Sequence, residues 1–183
     1  MKNKSLIQVI GTYFQVIVIF SLVFVLIYAL LGQLYEVTGD SMYPNFHNGE
    51  QLIAEKLSTK LDNLSRGDIV IFKSPVEDRL LIKRVIGLPD ERFLIQNGSV
   101  YINDKLLNEK YLSDEVLTEG LKEVEPGSEY NIPSDSYFVM GDNREKSTDS
   151  REWGPIKRES IIGKAILIYY PLGNMRLIQK MPY

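Results

Sequence analysis

Ser41 sits in Gly39-Asp40-Ser41-Met42-Tyr43-Pro44, a turn led by glycine and closed by proline, a few residues after a long apolar run. On irregular backbone a serine hydroxyl can stand exposed while neighbouring amide N–H groups converge on one point, the arrangement acyl transfer requires. Such a hydroxyl needs a base within hydrogen-bond reach. The one histidine, His47, lies six residues beyond Ser41 and is a candidate base or, equally, a solvated loop residue. Lysine is the other candidate, but it must be neutral to accept a proton. From a reference value of about 10.4, half-deprotonation near pH 8 requires a loss of about 2.4 units, or about 3.3 kcal/mol. Burial is the usual means. Lys83, in Leu80-Leu81-Ile82-Lys83-Arg84-Val85-Ile86, is the lysine embedded in an apolar run. On a strand it shares one face with Leu81 and Val85, while Arg84 shares the other with Ile82 and Ile86. Both faces are apolar, so the pattern leaves open which meets the core, and whether Lys83 snorkels to water from an edge strand.

The oxyanion formed in acyl transfer needs convergent donors. The backbone N–H of Ser41 is one; Thr38 offers a hydroxyl, and Gly39 has no side-chain donor. A polar segment, Gly141-Asp142-Asn143-Arg144-Glu145-Lys146-Ser147-Thr148-Asp149-Ser150-Arg151-Glu152-Trp153-Gly154, reads either as a solvated loop of alternating charge or as a network that positions a base. The absence of cysteine excludes thiol nucleophiles, disulfides and thiolate metal sites. A single histidine cannot build a His-rich catalytic zinc site, so a metal would have to rest almost wholly on carboxylates, and no carboxylate cluster has that spacing. The chain carries a net charge of −3, and the part beyond residue 35 is more acidic still, so nucleic acid is not an expected partner.

The elements that must position these residues begin with the apolar run. Lys2 and Lys4 are the charged side chains before Glu36, and the apolar centre runs from about Val16 to Leu31. About 20 helical residues cross a hydrocarbon core of roughly 30 Å. The lysine bias places the N-terminus in the cytoplasm, and Ala29-Leu30-Leu31 at the exit favours an uncleaved anchor over a cleaved signal peptide. The expected division is a short cytoplasmic N-terminus at 1–9, a transmembrane anchor at 10–34 and an extracytoplasmic catalytic β domain at 35–183. Period-two patterns predict strands at 51–55, 68–72, 80–88, 92–96, 99–103, 136–140 and 161–170. Asn97-Gly98 predicts a two-residue hairpin turn. The polar stretch around 104–134 reads as a variable insertion with a short helix and loops. The fold class is mainly β, one antiparallel domain on a single N-terminal transmembrane helix.

Four segments in this order resemble the bacterial type I signal peptidases, membrane-bound Ser/Lys proteases, in their Gram-positive form. They are Ser41-Met42-Tyr43-Pro44, Arg66-Gly67-Asp68-Ile69-Val70, Lys83-Arg84-Val85-Ile86-Gly87-Leu88-Pro89 and the segment 141–154. The resemblance implies an antiparallel β-sheet protease domain with Ser41 as nucleophile and Lys83 as general base. It also implies that Ser147 hydrogen-bonds the Lys83 amine and that Asp142, Asp149, Arg84 and Arg151 form supporting ion pairs. Gly39 takes the place of a hydroxyl residue that some members carry beside the oxyanion, which leaves the second donor open. The implied activity is a serine endopeptidase of the cell membrane that needs no cofactor and removes signal peptides from exported preproteins by cutting after small residues. Its partners are then preprotein signal peptides and the lipid bilayer. The alternative is a specialised peptidase or non-catalytic chaperone of surface-fibre (pilus) assembly. Two departures stand out: Asn45, where many members have threonine, and Pro89-Asp90-Glu91, which lacks a glycine often found after that proline.

Overall fold

The structure, a computed structural model, describes residues 6–31, 33–61, 64–113 and 115–179. Lys2 and Lys4, on which the orientation of the anchor was argued, lie outside them. Helix α1 (Leu6–Leu31) is uncharged throughout, and its window Gln8–Val25 has a mean hydropathy of 2.0 with none of it buried. Its 26 residues rise about 39 Å, enough for a single span. Twelve strands and two short α-helices follow in the described residues, with 3-10 turns at Arg158–Ser160 and Leu172–Asn174: β1 (Gln33–Glu36), β2 (Gln51–Glu55), α2 (Leu57–Lys60), β3 (Ile69–Lys73), β4 (Leu80–Gly87), β5 (Arg92–Gln96), β6 (Ser99–Ile102), β7 (Lys105–Leu106), β8 (Glu129–Asn131), β9 (Ser136–Met140), α3 (Ser150–Trp153), β10 (Ile156–Lys157), β11 (Ile161–Tyr170) and β12 (Arg176–Leu177).

They form two antiparallel sheets. The larger runs β1-β2-β11-β3-β4-β9-β10, with β12 paired to β11; the smaller runs β7-β6-β5-β8. In β3 alternate residues point to opposite faces: Ile69 and Ile71 enter one apolar cluster with Met42, Phe46 and Leu52, while Val70 and Phe72 enter another with Val85 and Val139. That is why Ile69-Val70-Ile71-Phe72 reads as a continuous apolar run rather than an alternation. A third cluster joins the small sheet to the large one, where the rings of Phe93 and Phe138 stack at 4.0 Å. The hairpin at Asn97-Gly98 forms with both residues at positive φ, +50° and +75°, the geometry a two-residue turn of this type requires.

The stretch expected to be an insertion with a short helix holds no helix among its described residues. It contributes β7 and β8, and between them a coil whose polar residues fold onto the 141–154 segment. No local periodicity announces this, because the stabilising contacts come from residues more than twenty positions away.

Candidate active site

The turn carrying Ser41 is shaped from below by packing. Met42 is 1% exposed and Phe46 is buried in the same cluster, so the residues flanking the hydroxyl are anchored while Ser41 itself stays partly open. Burying a methionine is worth several kcal/mol, about 2–5 on truncation to alanine. The turn closes through Tyr43 N–H to the Asp40 carbonyl at 3.1 Å and Phe46 N–H to the Met42 carbonyl at 2.9 Å. The Ser41 carbonyl accepts the Asn143 N–H at 3.0 Å, which ties the turn to the polar segment.

Lys83 lies on β4, which passes from exposed at Leu80 to buried on both faces from Lys83 onward. Neither of the two orientations left open by the pattern is therefore solvent-facing. Lys83 is 2% exposed, and its Nζ stands 2.6 Å from Ser41 Oγ in a hydrogen bond. Burial lowers its pKa to about 8; Arg79 and Arg151 push the same way, while Asp149 and Asp142 oppose them. Burial dominates because an ammonium group without bulk water loses solvation that distant carboxylates do not restore.

Arg84, the next residue, points to the other face. Its Nε and Nη2 fork onto Asp142 at 2.7 and 2.5 Å, its Nη1 donates to the Gly67 carbonyl, and its guanidinium lies 4.1 Å from the Tyr111 ring centroid. Asp149, 0% exposed, accepts from Gly141 N–H and from the backbone N–H, Nε and Nη2 of Arg151. Arg151 also donates to the carbonyls of Arg144, Ser147 and Glu119. These two buried pairs thus hold the backbone of 141–151 in place as well as neutralising charge, the condition under which buried ions are tolerated.

The remaining site candidates are placed as follows. Ser147 is buried, and a Cβ on Gly141 would come within 2.2 Å of its Oγ and 2.4 Å of the Ser41 carbonyl, so Ser147, Gly141 and Ser41 are in close contact. Its Oγ has no hydrogen-bond partner, so the bond to the Lys83 amine is not formed in this structure. Gly39 has φ +85°, and its N–H donates to Asn48 Oδ1 at 2.8 Å. The Gly39 amide is thereby committed to the loop. His47 is exposed; its ring faces Tyr43 and its Nδ1 lies 3.7 Å from Glu50. Among the described residues no group of three His, Asp or Glu side chains is placed to hold a metal ion.

Sequence reasoning gave no site role to Asn45, Arg144, Glu109 or Tyr111. Asn45 Nδ2 donates to Asp142 Oδ2 and to the Tyr111 carbonyl, both at 2.9 Å. Arg144, buried, donates to the Gly141 carbonyl, Glu109, Thr118 Oγ1 and the Tyr111 hydroxyl. Arg144 was visible within the polar segment, whereas Glu109 and Tyr111, more than thirty positions away, carry no local signal.

Ser41 and Lys83 line a cleft of ≈ 290 Å³ whose other walls include Tyr35, Leu52, Ile71 and Ile82. One side is strand edge: β9 pairs with β4 only at Arg84, Val85 and Gly87, leaving the Leu80–Lys83 stretch unpaired by it. The arrangement offers a buried base on a serine hydroxyl, beside an apolar groove and an open edge.

Residues 10–170 match the family described as "Signal peptidase, peptidase S26". The chain is 35% identical over 180 residues to signal peptidase I U of Bacillus subtilis, covering 96% of this chain and 95% of that one. It is 34% identical over 151 residues to a Synechocystis protein named "Probable signal peptidase I-2", covering 78% of this chain and 65% of that protein. A solved structure of a signal peptidase I from Enterococcus faecalis aligns at 32% identity with a TM-score of 0.48, covering 55% of this chain and 95% of that chain.

Proposed function

The chain belongs to the signal peptidase family, peptidase S26, and from that premise we propose that Ser41 and Lys83 are its catalytic dyad. It is a serine endopeptidase that removes signal peptides, and its relatives favour this over a role in surface-fibre assembly. The observation that carries the assignment is the 2.6 Å contact between Ser41 Oγ and a lysine that is 2% exposed.

In this reading neutral Lys83 takes the Ser41 proton as Oγ attacks the scissile carbonyl. The Lys83 ammonium then gives that proton to the leaving amine, and the acyl-enzyme is opened by water activated on the same lysine. The Ser41 N–H is one oxyanion donor. The Thr38 hydroxyl, in the lining of the same cleft, is the second, because the Gly39 amide is bound to Asn48. Ser147 Oγ, buried and unpartnered, is poised to meet the Lys83 amine once the proton moves. Arg84–Asp142 and Arg151–Asp149 keep the 141–151 backbone against the Ser41 turn.

The substrate's extended segment adds as a strand along the open Leu80–Lys83 edge, with its small side chains entering the apolar cleft beside the dyad. Residues 10–34 anchor the chain in the cell membrane, with 1–9 cytoplasmic and 35–183 outside it; the long apolar helix and the two N-terminal lysines support this. The partners are then preprotein signal peptides and the bilayer, without nucleic acid.

The test is cleavage of a preprotein by the full chain in detergent micelles. Wild type should cut after a small residue, and Ser41→Ala and Lys83→Ala should be folded and inactive. Retained activity in either variant would sink the dyad, and His47 would be the next base to replace.

A further inference from the structure

The nucleophile turn belongs to a larger loop, residues 37–50, closed at its base by Val37 N–H to the Glu50 carbonyl and Gly49 N–H to the Val37 carbonyl, both at 2.8 Å. The Glu50 side chain folds back into this loop. It is 1% exposed and accepts from the His47 N–H at 3.0 Å, from Asn174 Nδ2 at 3.1 Å and from Arg176 Nη1 and Nη2 at 2.8 and 3.2 Å. Burial opposes the charge on Glu50, and the donors from Arg176, the His47 backbone and Asn174 outweigh it, so the carboxyl titrates below its ordinary value. Arg176 does more than pair with Glu50. Its Nη2 donates to the Asn45 carbonyl at 2.6 Å, and its guanidinium lies 5.9 Å from the Phe46 ring centroid.

The far end of this contact is paired to the larger sheet. Arg176 sits on β12 opposite Ile168 of β11, the central strand that also pairs with β2 and β3. At the near end, Asn45 passes the constraint on through its side chain to Asp142, which is forked by Arg84 next to Lys83. One chain of hydrogen bonds therefore runs from β12 through Arg176 and Asn45 to the pair beside the base, with Ser41 four residues from its middle. Arg176 and Asn174 lie beyond residue 170, outside the stretch that matches the family.

We propose that Arg176, with Glu50, is a positioning residue for catalysis: the C-terminal strand clamps the Ser41 loop so that Oγ is held on the Lys83 amine. This rests on the Ser41–Lys83 reading. Glu50 accepts from the loop's own His47 N–H and from Asn174 outside it, and the arginine fork ties the loop to β12. A lysine at 176 could meet Glu50 but could not reach the Asn45 carbonyl with a second, fixed donor at the same time.

The experiment compares wild type with Arg176→Ala and Arg176→Lys in the full chain in detergent micelles, on one preprotein-derived peptide. Rates are expressed per site titrated by a serine-directed acylating reagent, and a thermal melt accompanies each variant. Arg176→Ala should lower kcat per titrated site by about ten- to a hundredfold, as for an ångström-scale misplacement. KM should stay within about twofold, since the cleft walls are untouched. The alkaline rise in rate should keep its midpoint, because the Lys83 pKa is set chiefly by burial, with Asp149, Arg79, Asp142 and Arg151 as the charges that act most on it. Arg176→Lys should recover only part of the loss. A kcat per titrated site within twofold of wild type in Arg176→Ala overturns the proposal, since a merely structural role would change the number of active molecules and not their rate. If Arg176→Ala does not fold, the same criterion applies to Arg176→Lys. Ser41→Ala runs alongside: activity in that variant would overturn the dyad itself, whereas an inactive Ser41→Ala with an unaffected Arg176→Ala overturns only the clamp.

Discussion

Between pH 6 and 9 the rate of peptide cleavage should follow the neutral fraction of Lys83. With a pKa of about 8, against an ordinary 10.5, the lysine is about 1% neutral at pH 6, about 9% at pH 7 and about 90% at pH 9. An unburied lysine would be only about 0.03% neutral at pH 7, so burial supplies a roughly 300-fold gain in competent base. The log of kcat/KM should therefore climb with nearly unit slope up to about pH 7, bend at about pH 8 and level off near about pH 9. Arg79 is a second handle: its positive charge lowers the Lys83 pKa, so Arg79→Gln should move the midpoint upward. The Arg79 side chain is 60% exposed, so solvent and salt limit the move to a few tenths of a unit. The assay is kcat/KM on a fluorogenic signal-peptide segment at constant ionic strength, with the fraction of titratable sites measured at each pH. A profile flat across this range, or a pH dependence that disappears in His47→Ala, would refute a lysine base.

Other substitutions test the surrounding structure. Lys83→Met should stabilise the fold at pH 7 by about 1–3 kcal/mol in denaturant unfolding, because it removes a charge whose burial costs roughly 1.36 kcal/mol per pKa unit. The sign follows from proton binding: the unfolded lysine holds its proton up to 10.5 and the folded one only to about 8. The gain should thus be full below pH 8 and fade towards pH 10.5. Gly141→Ala places a methyl 2.2 Å from Ser147 Oγ and 2.4 Å from the Ser41 carbonyl; cleavage should fall by at least about a hundredfold, with the Ser41 turn displaced. Asp142→Ala leaves the buried Arg84 guanidinium without its carboxylate, and the melt should report a loss of about 3–5 kcal/mol. Glu109→Gln, remote from the dyad, should weaken the hold of the 107–118 coil on Arg144, seen as faster proteolysis of that coil while cleavage activity remains measurable.

The strands 51–55, 92–96, 136–140 and 161–170 were readable because each is a short apolar or alternating run bounded by turn residues, and the Asn97-Gly98 hairpin because its turn chemistry is local. The apolar helix was legible from length and lack of charge alone. The coil between β7 and β8 was misjudged, since a helix was expected where Glu109, Tyr111 and Thr118 instead wrap Arg144. Such contacts form across sequence gaps of 26 to 35 residues and leave no period to detect.

For the site, residue types and motif order were enough to select Ser41 and Lys83 as candidates and to exclude thiol chemistry. They could not decide whether Lys83 faced water or the core, because both faces of β4 carry apolar residues. Only the tertiary structure resolved that, by burying Lys83 and seating the Ser41 turn on its amine at 2.6 Å. Lysine basicity depends on solvation, and solvation is set by everything that surrounds the amine. The clamp from Arg176 to Glu50 and Asn45 has the same origin: it joins residues 126 and 131 positions apart, which the pairing of β12 with β11 brings together and no local pattern records.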